Sequence, residues 1–370
     1  IKFVIVMKKS FVLLFFTFFA LNVFSVDLIN EDSVQSYRDA KSFFLNKEYG
    51  KALDKCEEAI TFRKENVLEE VSIITEALKP KQVQRAGDDL SAVLKVLNER
   101  NEKRPISVIN KYIKLKGEDY FENSISKLIS HIQQKEHYPE VYKLIGDIYK
   151  LEGEYKFAED YYKKALDNSN VLNIPNDRFE LLYSLAEISE INEDYKRMEI
   201  RLLNILTDDS TYKNKALSKA LLNTVVSNKK DCFEKFFELY RGNNYFSLKA
   251  YSKLSDYYYS IQDYDKAFNF CALNVITSIT KIQEVISSRD ITFDFKNIEN
   301  LLYHVQYYDD IIKWGNDNEI WSSFNLLAKI TKELGNIDFT EKLLKVLAQF
   351  SPEEYWRKEA VLQLSYLSAE

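Results

Sequence analysis

An all-α fold, an α-solenoid of stacked antiparallel helical hairpins, is what this sequence predicts, and three observations predict it. The first is a recurring phrase: an acidic residue, a tyrosine, two variable residues, then a small or apolar one. It reads Glu48-Tyr49-Gly50-Lys51-Ala52, Glu154-Tyr155-Lys156-Phe157-Ala158, Asp194-Tyr195-Lys196-Arg197-Met198 and Asp263-Tyr264-Asp265-Lys266-Ala267, with a weaker copy at Asp119-Tyr120-Phe121-Glu122-Asn123. The five tyrosines lie 71, 35, 40 and 69 residues apart, one or two steps of a single unit. A fixed period of that size marks stacked supersecondary units. The second observation is scarcity of turn formers, with 8 Gly and 5 Pro in 370 residues. Sheets and phosphate loops need more of both, whereas long helices on short connections do not. The third is apolar spacing of three and four residues on both sides of the phrase, which puts those side chains on one helix face.

The N-terminus reads as an export signal. Met7-Lys8-Lys9 is a basic start, residues 11–23 are an apolar run, and Val23-Phe24-Ser25 precedes Val26-Asp27 as a cleavage site. That order is the pattern of a secretory leader, and residues 1–6 read as sequence upstream of the start. The run is shorter than the roughly 20 residues of a comfortable membrane span. No cysteine lies near the cleavage point, which excludes a lipoprotein anchor. The expected compartment is the periplasm or cell envelope of a bacterium. The alternative is a signal retained as a membrane anchor.

Along residues 26–370 the clear hairpins are expected at 33–64, 139–172, 179–212, 248–281 and 321–352. The first carries Ala40, Phe43, Tyr49, Ala52, Cys56 and Ala59. In the second, Tyr142, Ile145, Gly146 and Tyr149 share one helix face, and Tyr155, Ala158, Tyr162 and Ala165 share another. Gly153 suits the turn between them, and Glu154 complements the dipole of the following helix. Gly146 and Ala158 allow close approach while the tyrosines fill the space beside them. Leu182, Leu185, Ala186, Tyr195, Met198, Leu202 and Ile205 mark the third hairpin. Tyr251, Leu254, Ser255, Tyr258, Tyr264, Ala267 and Cys271 mark the fourth, and Phe324, Leu327, Ala328, Gly335, Leu344 and Leu347 the fifth. Amphipathic segments at 66–100, 106–135, 216–240 and 291–314 keep the period without the phrase and are expected to fill the missing units. Residues 352–369 read as a last amphipathic helix that caps the stack.

In these positions the chain resembles the tetratricopeptide repeat (TPR) family, whose 34-residue pattern 139–172 matches almost throughout. The resemblance implies a right-handed superhelix whose first helices line a concave groove, with positions 2, 5, 9 and 12 of each repeat facing it. Carried onto this chain, those positions are Glu140, Lys143, Asp147 and Lys150, then Glu180, Tyr183, Glu187 and Glu190, then Lys249, Ser252, Asp256 and Tyr259. Tyrosine amid charge is a good protein-recognition surface, with large area and few rotamers to freeze. The family's chaperone-tail clamp needs lysine and asparagine at positions 5 and 9 of its first unit. Tyr37 and Lys41 stand there instead, which argues against that activity.

Charge and chemistry narrow the function further. The net charge of −6 and pI near 5.5, with basic clusters short and broken by acids, argue against nucleic acid. No Gly-rich phosphate loop or nucleophile elbow occurs. Cys56, Cys232 and Cys271 have no metal or redox spacing, and His131, His137 and His304 have no supporting ligands. Adjacent carboxylates such as Glu69-Glu70 and Asp309-Asp310 point apart on a helix. The expectation is a non-catalytic protein–protein interaction scaffold or adaptor of the cell envelope, without cofactor or metal, binding a protein or peptide segment in the groove. A basic or tyrosine-tolerant partner fits the acidic groove slightly better. The alternatives are a membrane-tethered form, a non-catalytic subunit of an envelope enzyme complex, and self-association through the solenoid ends.

Overall fold

The computed structural model describes residues 31–227, 229, 231–238 and 245–368; the leader read at 1–25 lies outside them. Among the described residues the secondary structure is helical. The helices are α1 (Glu31–Leu45), α2 (Tyr49–Leu78), α3 (Lys81–Arg85), α4 (Leu90–Glu99), α5 (Lys103–Lys116), α6 (Ile125–Gln134), α7 (Pro139–Leu151), α8 (Tyr155–Asp167) and α9 (Asp177–Ile191). They continue with α10 (Tyr195–Leu206), α11 (Ser210–Lys213), α12 (Lys215–Val226), α13 (Cys232–Glu238), α14 (Leu248–Ser260), α15 (Tyr264–Arg289), α16 (Ile298–Val305), α17 (Asp309–Asp317), α18 (Ile320–Glu333), α19 (Ile337–Phe350) and α20 (Glu354–Leu367). The chain forms two compact units, one ending at Ile188 and the other running from Ser189.

Five inter-helix turns share one construction, which explains why the phrase recurs. A residue in the left-handed region precedes each second helix: Lys47 (φ 63°), Gly153 (81°), Glu193 (57°), Gln262 (62°) and Gly335 (81°). The next N–H reaches back five residues: Glu48 to the carbonyl of Phe43 (2.9 Å), Glu154 to Tyr149 (2.9 Å), Asp194 to Ser189 (2.8 Å), Asp263 to Tyr258 (2.9 Å) and Asn336 to Thr331 (2.9 Å). This is the Schellman closure, which satisfies carbonyls left open at a helix end. Asp194, Asp263 and Asn336 then cap the second helix, accepting from the N–H groups of Arg197 (3.0 Å), Lys266 (3.3 Å) and Phe339 (3.0 Å). Glu48 and Glu154 make no such side-chain bond, so only their charge favours the helix start.

In the first unit, α2 runs 30 residues and serves two cores. Its first half packs Ala52, Cys56 and Ala59 against Ala40 of α1 and Val141, Ile145 and Ile148 of α7. Its second half packs Val67 and Ile74 against Leu90, Leu97, Ile109, Leu128 and Ile132. The 66–135 stretch was expected to supply complete repeats within the stack. Instead the α1/α2 hairpin meets α7 directly, and α3 to α6 form a side core on the extended half of α2. Asp88 ties that side core together, accepting from the Ser126 N–H at 2.8 Å and from the hydroxyls of Ser124 and Ser126. In the next hairpin Gly146 faces Tyr162 at the closest approach of α7 and α8, where a Cβ would stand 2.6 Å from the ring. The Tyr162 hydroxyl donates to Asp147 at 2.7 Å.

The second unit repeats the device. Helix α15, 26 residues long, is buried almost all round from Ala267 to Thr280. Where it crosses α18, the Asn274 amide donates to the Ser323 hydroxyl at 3.0 Å and the Cys271 thiol donates to the Ser323 carbonyl at 3.3 Å. Helix α16 packs on α15 and α19, and α17 on α16 and α18, with Arg289 near the end of α15 paired to Asp310 of α17. Phe233, Phe236 and Phe237 of α13 fill the space between α15, α18 and α19, contacting the rings of Phe268, Phe324 and Phe339. Buried polar ties lock the elements: Tyr251 donates to the buried carboxylate of Asp209 at 2.7 Å, and Asn336 donates to the Val225 carbonyl at 2.6 Å.

Candidate functional site: a surface for a protein segment

The expected groove residues of the first unit meet one another. Lys143 Nζ lies 3.2 Å from Asp147 and 3.3 Å from Glu180, and Lys150 Nζ lies 2.9 Å from Glu187. Glu140 accepts from the Asn173 N–H at 2.7 Å, and Tyr183 is half-buried. Spacing from α7 to α9 therefore aligns the two rows, and their charges pair into a ladder. Each exposed pair contributes about 0–1 kcal/mol to stability, but pairing leaves little charge over for a ligand. Asp147 also holds Tyr162, so it is part of the hairpin as well as of the surface.

In the second unit Glu190 pairs with Lys253 at 2.5 Å. Ser252 is half-buried. Asp256 is exposed by area. Surrounding protein mass pushes its carboxyl up to about 6, Glu319 and Glu190 adding to the rise and Lys253 opposing it. Tyr259 is half-buried, contacts the Tyr264 ring at 5.7 Å, and stands on the wall of a cleft.

That cleft encloses about 290 Å³. Its floor is Ala328 of α18 with Thr340 and Leu344 of α19. Tyr259 of α14, Lys329, Lys332 and Glu333 of α18, and Glu359, Gln363 and Tyr366 of α20 complete the lining, two lysines against two glutamates. Counting 34-residue repeats from 321 makes Lys329 and Lys332 positions 9 and 12, and counting on from 355 makes Glu359, Gln363 and Tyr366 positions 5, 9 and 12. Three successive first helices thus contribute the same positions to one cleft. None of these five was among the groove positions expected from sequence, which ended at Tyr259; continuing the 34-residue period is the signal that finds them. Gln363 donates to Asn325 at 2.7 Å and to Glu359 at 2.8 Å, which fixes α20 against α18.

Residues with reactive side chains stand elsewhere. His131 is buried among Tyr112, Tyr120 and Phe121, and His304 Nδ1 lies 2.7 Å from the Asn300 carbonyl. Cys56, Cys232 and Cys271 are buried free thiols. Glu69 pairs with Arg104, while Glu70 takes Lys111 at 2.8 Å and the Tyr112 hydroxyl at 2.7 Å, so these adjacent carboxylates do point apart. Among the described residues no group of three or more His, Cys, Asp or Glu gathers as a metal site, and no helix is long and apolar enough to cross a membrane.

No protein-family model matches the chain. It is 25% identical over 339 residues to an uncharacterized protein of Treponema pallidum (strain Nichols), covering 90% of each chain. The crystal structure of the P58(IPK) TPR domain aligns with 91% of this chain and 89% of that one, at 14% identity and a TM-score of 0.19. At that score the superposition decides nothing, and the all-α hairpin fold rests on the helices, turns and cores described above.

Proposed function

We propose that this chain is a non-catalytic scaffold or adaptor that binds a protein or peptide segment along the face presented by its first helices. The observation that carries the proposal is the cleft built by equivalent positions of α14, α18 and α20, walled by Tyr259 and Tyr366. A preformed surface of this kind accepts a segment at little conformational cost to the receptor. The candidate contacts are Lys143, Asp147, Lys150, Tyr183, Glu187, Glu190, Ser252, Asp256 and Tyr259, joined by Lys329, Lys332, Gln363 and Tyr366. The ladder pairs of the first unit make its residues poorer anchors than those around the cleft. The reading includes export to the periplasm or envelope on the strength of the sequence at 7–26. Cleavage after Ser25 gives a soluble scaffold, and a retained leader gives a tethered one.

Site-specific photo-crosslinking in intact cells tests it. A benzophenone side chain at Tyr259 or Tyr366 is expected to yield one common protein adduct that is absent when the probe replaces exposed Phe157 on α8. Identical adducts from all three positions, or none from the first two, overturn the proposal.

A further inference from the structure

Helix α20 is a first helix without a second. In the complete hairpins, positions 4, 7, 8 and 11 of the 34-residue period turn toward the second helix. On α14 these are Tyr251, Leu254, Ser255 and Tyr258, all buried, and Tyr258 stacks on Phe270 of α15 at 5.6 Å. On α18 they are Phe324, Leu327, Ala328 and Thr331, all buried, and the Thr331 hydroxyl meets Thr340 of α19 at 2.9 Å. On α20 the same positions are Lys358, Val361, Leu362 and Ser365, and all four are exposed, Val361 at 56% and Leu362 at 47%. Exposed Tyr355 and Tyr366 extend this stripe toward both ends. Three- and four-residue spacing keeps these side chains on one helix face, while Ala360 is buried as α20 packs on α19. A helix that merely caps a stack turns a polar face outward. This one turns out two tyrosines, a valine and a leucine.

The eighth position restricts what can cover that face. It is small wherever a second helix of this chain packs: Ala40, Gly146, Ala186, Ser255 and Ala328. Gly146 shows why, since a Cβ there would stand 2.6 Å from the Tyr162 ring. Leu362 holds the position on α20, so a helix coming as close as α8 does is excluded. The covering helix has to lie farther out and interleave its own bulky side chains with Val361 and Leu362.

We propose that it is α20 of a second copy, packed antiparallel across a two-fold axis. Helix α20 runs Glu354–Leu367, so Val361 and Leu362 lie near its middle. An axis passing there sets them against Leu362 and Val361 of the second copy. Lys358 then falls opposite Ser365, and its ammonium is already held by Glu354 of its own helix at 2.7 Å. No like charges meet and no charge is buried alone, the two conditions that a self-complementary interface must satisfy. One helix pair buries less than the roughly 1,200 Å² of a standard interface, so association is in the micromolar range. The cleft draws on positions 5, 9 and 12 of α20, and pairing leaves it open, with Tyr366 bordering both.

Sedimentation velocity of the full-length protein, from low to high micromolar concentration, tests the pairing. Wild type is expected to pass from monomer to dimer and stop, because a two-fold contact closes at two. Leu362→Glu is expected to weaken the dimer at least about tenfold, with helicity and urea midpoint unchanged because residue 362 is exposed. Leu362→Cys is expected to join two copies through a short bis-thiol reagent, whereas Phe157→Cys on exposed α8 does not; the three native thiols are buried. A wild type that stays monomeric overturns the proposal and leaves the face to another protein. A dimer indifferent to Leu362→Glu, or equal crosslinking from both cysteines, places association elsewhere and overturns it too. Growth beyond the dimer means a head-to-tail contact and rules out the two-fold pairing.

Discussion

Gly146 shows how far single residues could be read in advance. Its role in close helix approach was legible, because a glycine on the buried face of a helix otherwise forfeits about 1 kcal/mol of helix propensity. What the sequence did not say is that the approaching group is the ring of Tyr162, pinned by its bond to Asp147. A Cβ 2.6 Å from that buried ring forces a shift that close packing resists. Gly146→Ala is therefore expected to destabilise the protein by about 1–2 kcal/mol net of the propensity gain, measured by urea denaturation; a more stable variant would refute the packing account. His131 was legible only as a helix residue. Its ring is buried and its Nε2 has no partner. Burial first, then Lys135 and Lys116, lowers its pKa from 6.5 to about 4. The unfolded chain thus binds a proton between those values that the native state refuses. The stability is whole above about pH 6.5 and drains away as pH falls toward 4. At pH 5 the loss is about 2 kcal/mol relative to pH 7. His131→Phe, which suits a site ringed by Tyr112, Tyr120 and Phe121, is expected to remove that part of the acid sensitivity in denaturation curves at the two pH values. An unchanged difference would mean that another group titrates.

At the scale of elements, the turns were predicted from composition and found to be one recurring closure. Glycine at 153 and 335 announces the left-handed residue, but Lys47, Glu193 and Gln262 do the same work silently, since the bond five residues back fixes the backbone whatever the side chain. A non-glycine residue pays about 1–2 kcal/mol for that conformation, partly offset because glycine loses more freedom on folding. Glu193→Gly is expected to stabilise by about 0.5–1 kcal/mol, and Gly153→Ala to destabilise by about 1 kcal/mol. Opposite signs in thermal or urea unfolding would show that the closure is not the common determinant. The long helices escaped prediction for a related reason. Nothing in 61–78 breaks the helix begun at Tyr49, yet a strict 34-residue count ends it near residue 64. Period alone cannot tell a second helix that stops from one that continues into a side core.

For the molecule as a whole, the spacings of 71 and 69 residues invited the inference that unmarked repeats sit between marked ones. Physical chemistry permits other solutions, and the chain uses two: in the first interval the α1/α2 hairpin meets α7 directly while α3 to α6 gather on the overhang of the long α2, and in the second α10 stops after 12 residues and α13 packs its phenylalanines among α15, α18 and α19. In the first unit the two halves of α2 then belong to different cores. Ala52, Cys56 and Ala59 face α1 and α7, whereas Val67 and Ile74 face α4, α5 and α6. Damage to the overhang should consequently stay in the side core. Ile74 is 1% exposed, so Ile74→Ala removes buried methylenes at a cost of about 2–4 kcal/mol. Native-state hydrogen exchange followed by mass spectrometry is expected to show faster exchange in peptides from α4 and α6. Peptides from α7 and α8, whose core lies on the other half of α2, keep their protection, because cooperative opening follows contiguous cores. Equal loss of protection in both sets would mean that α2 couples the cores into one folding unit, and the overhang would then be part of the stack in energy if not in position.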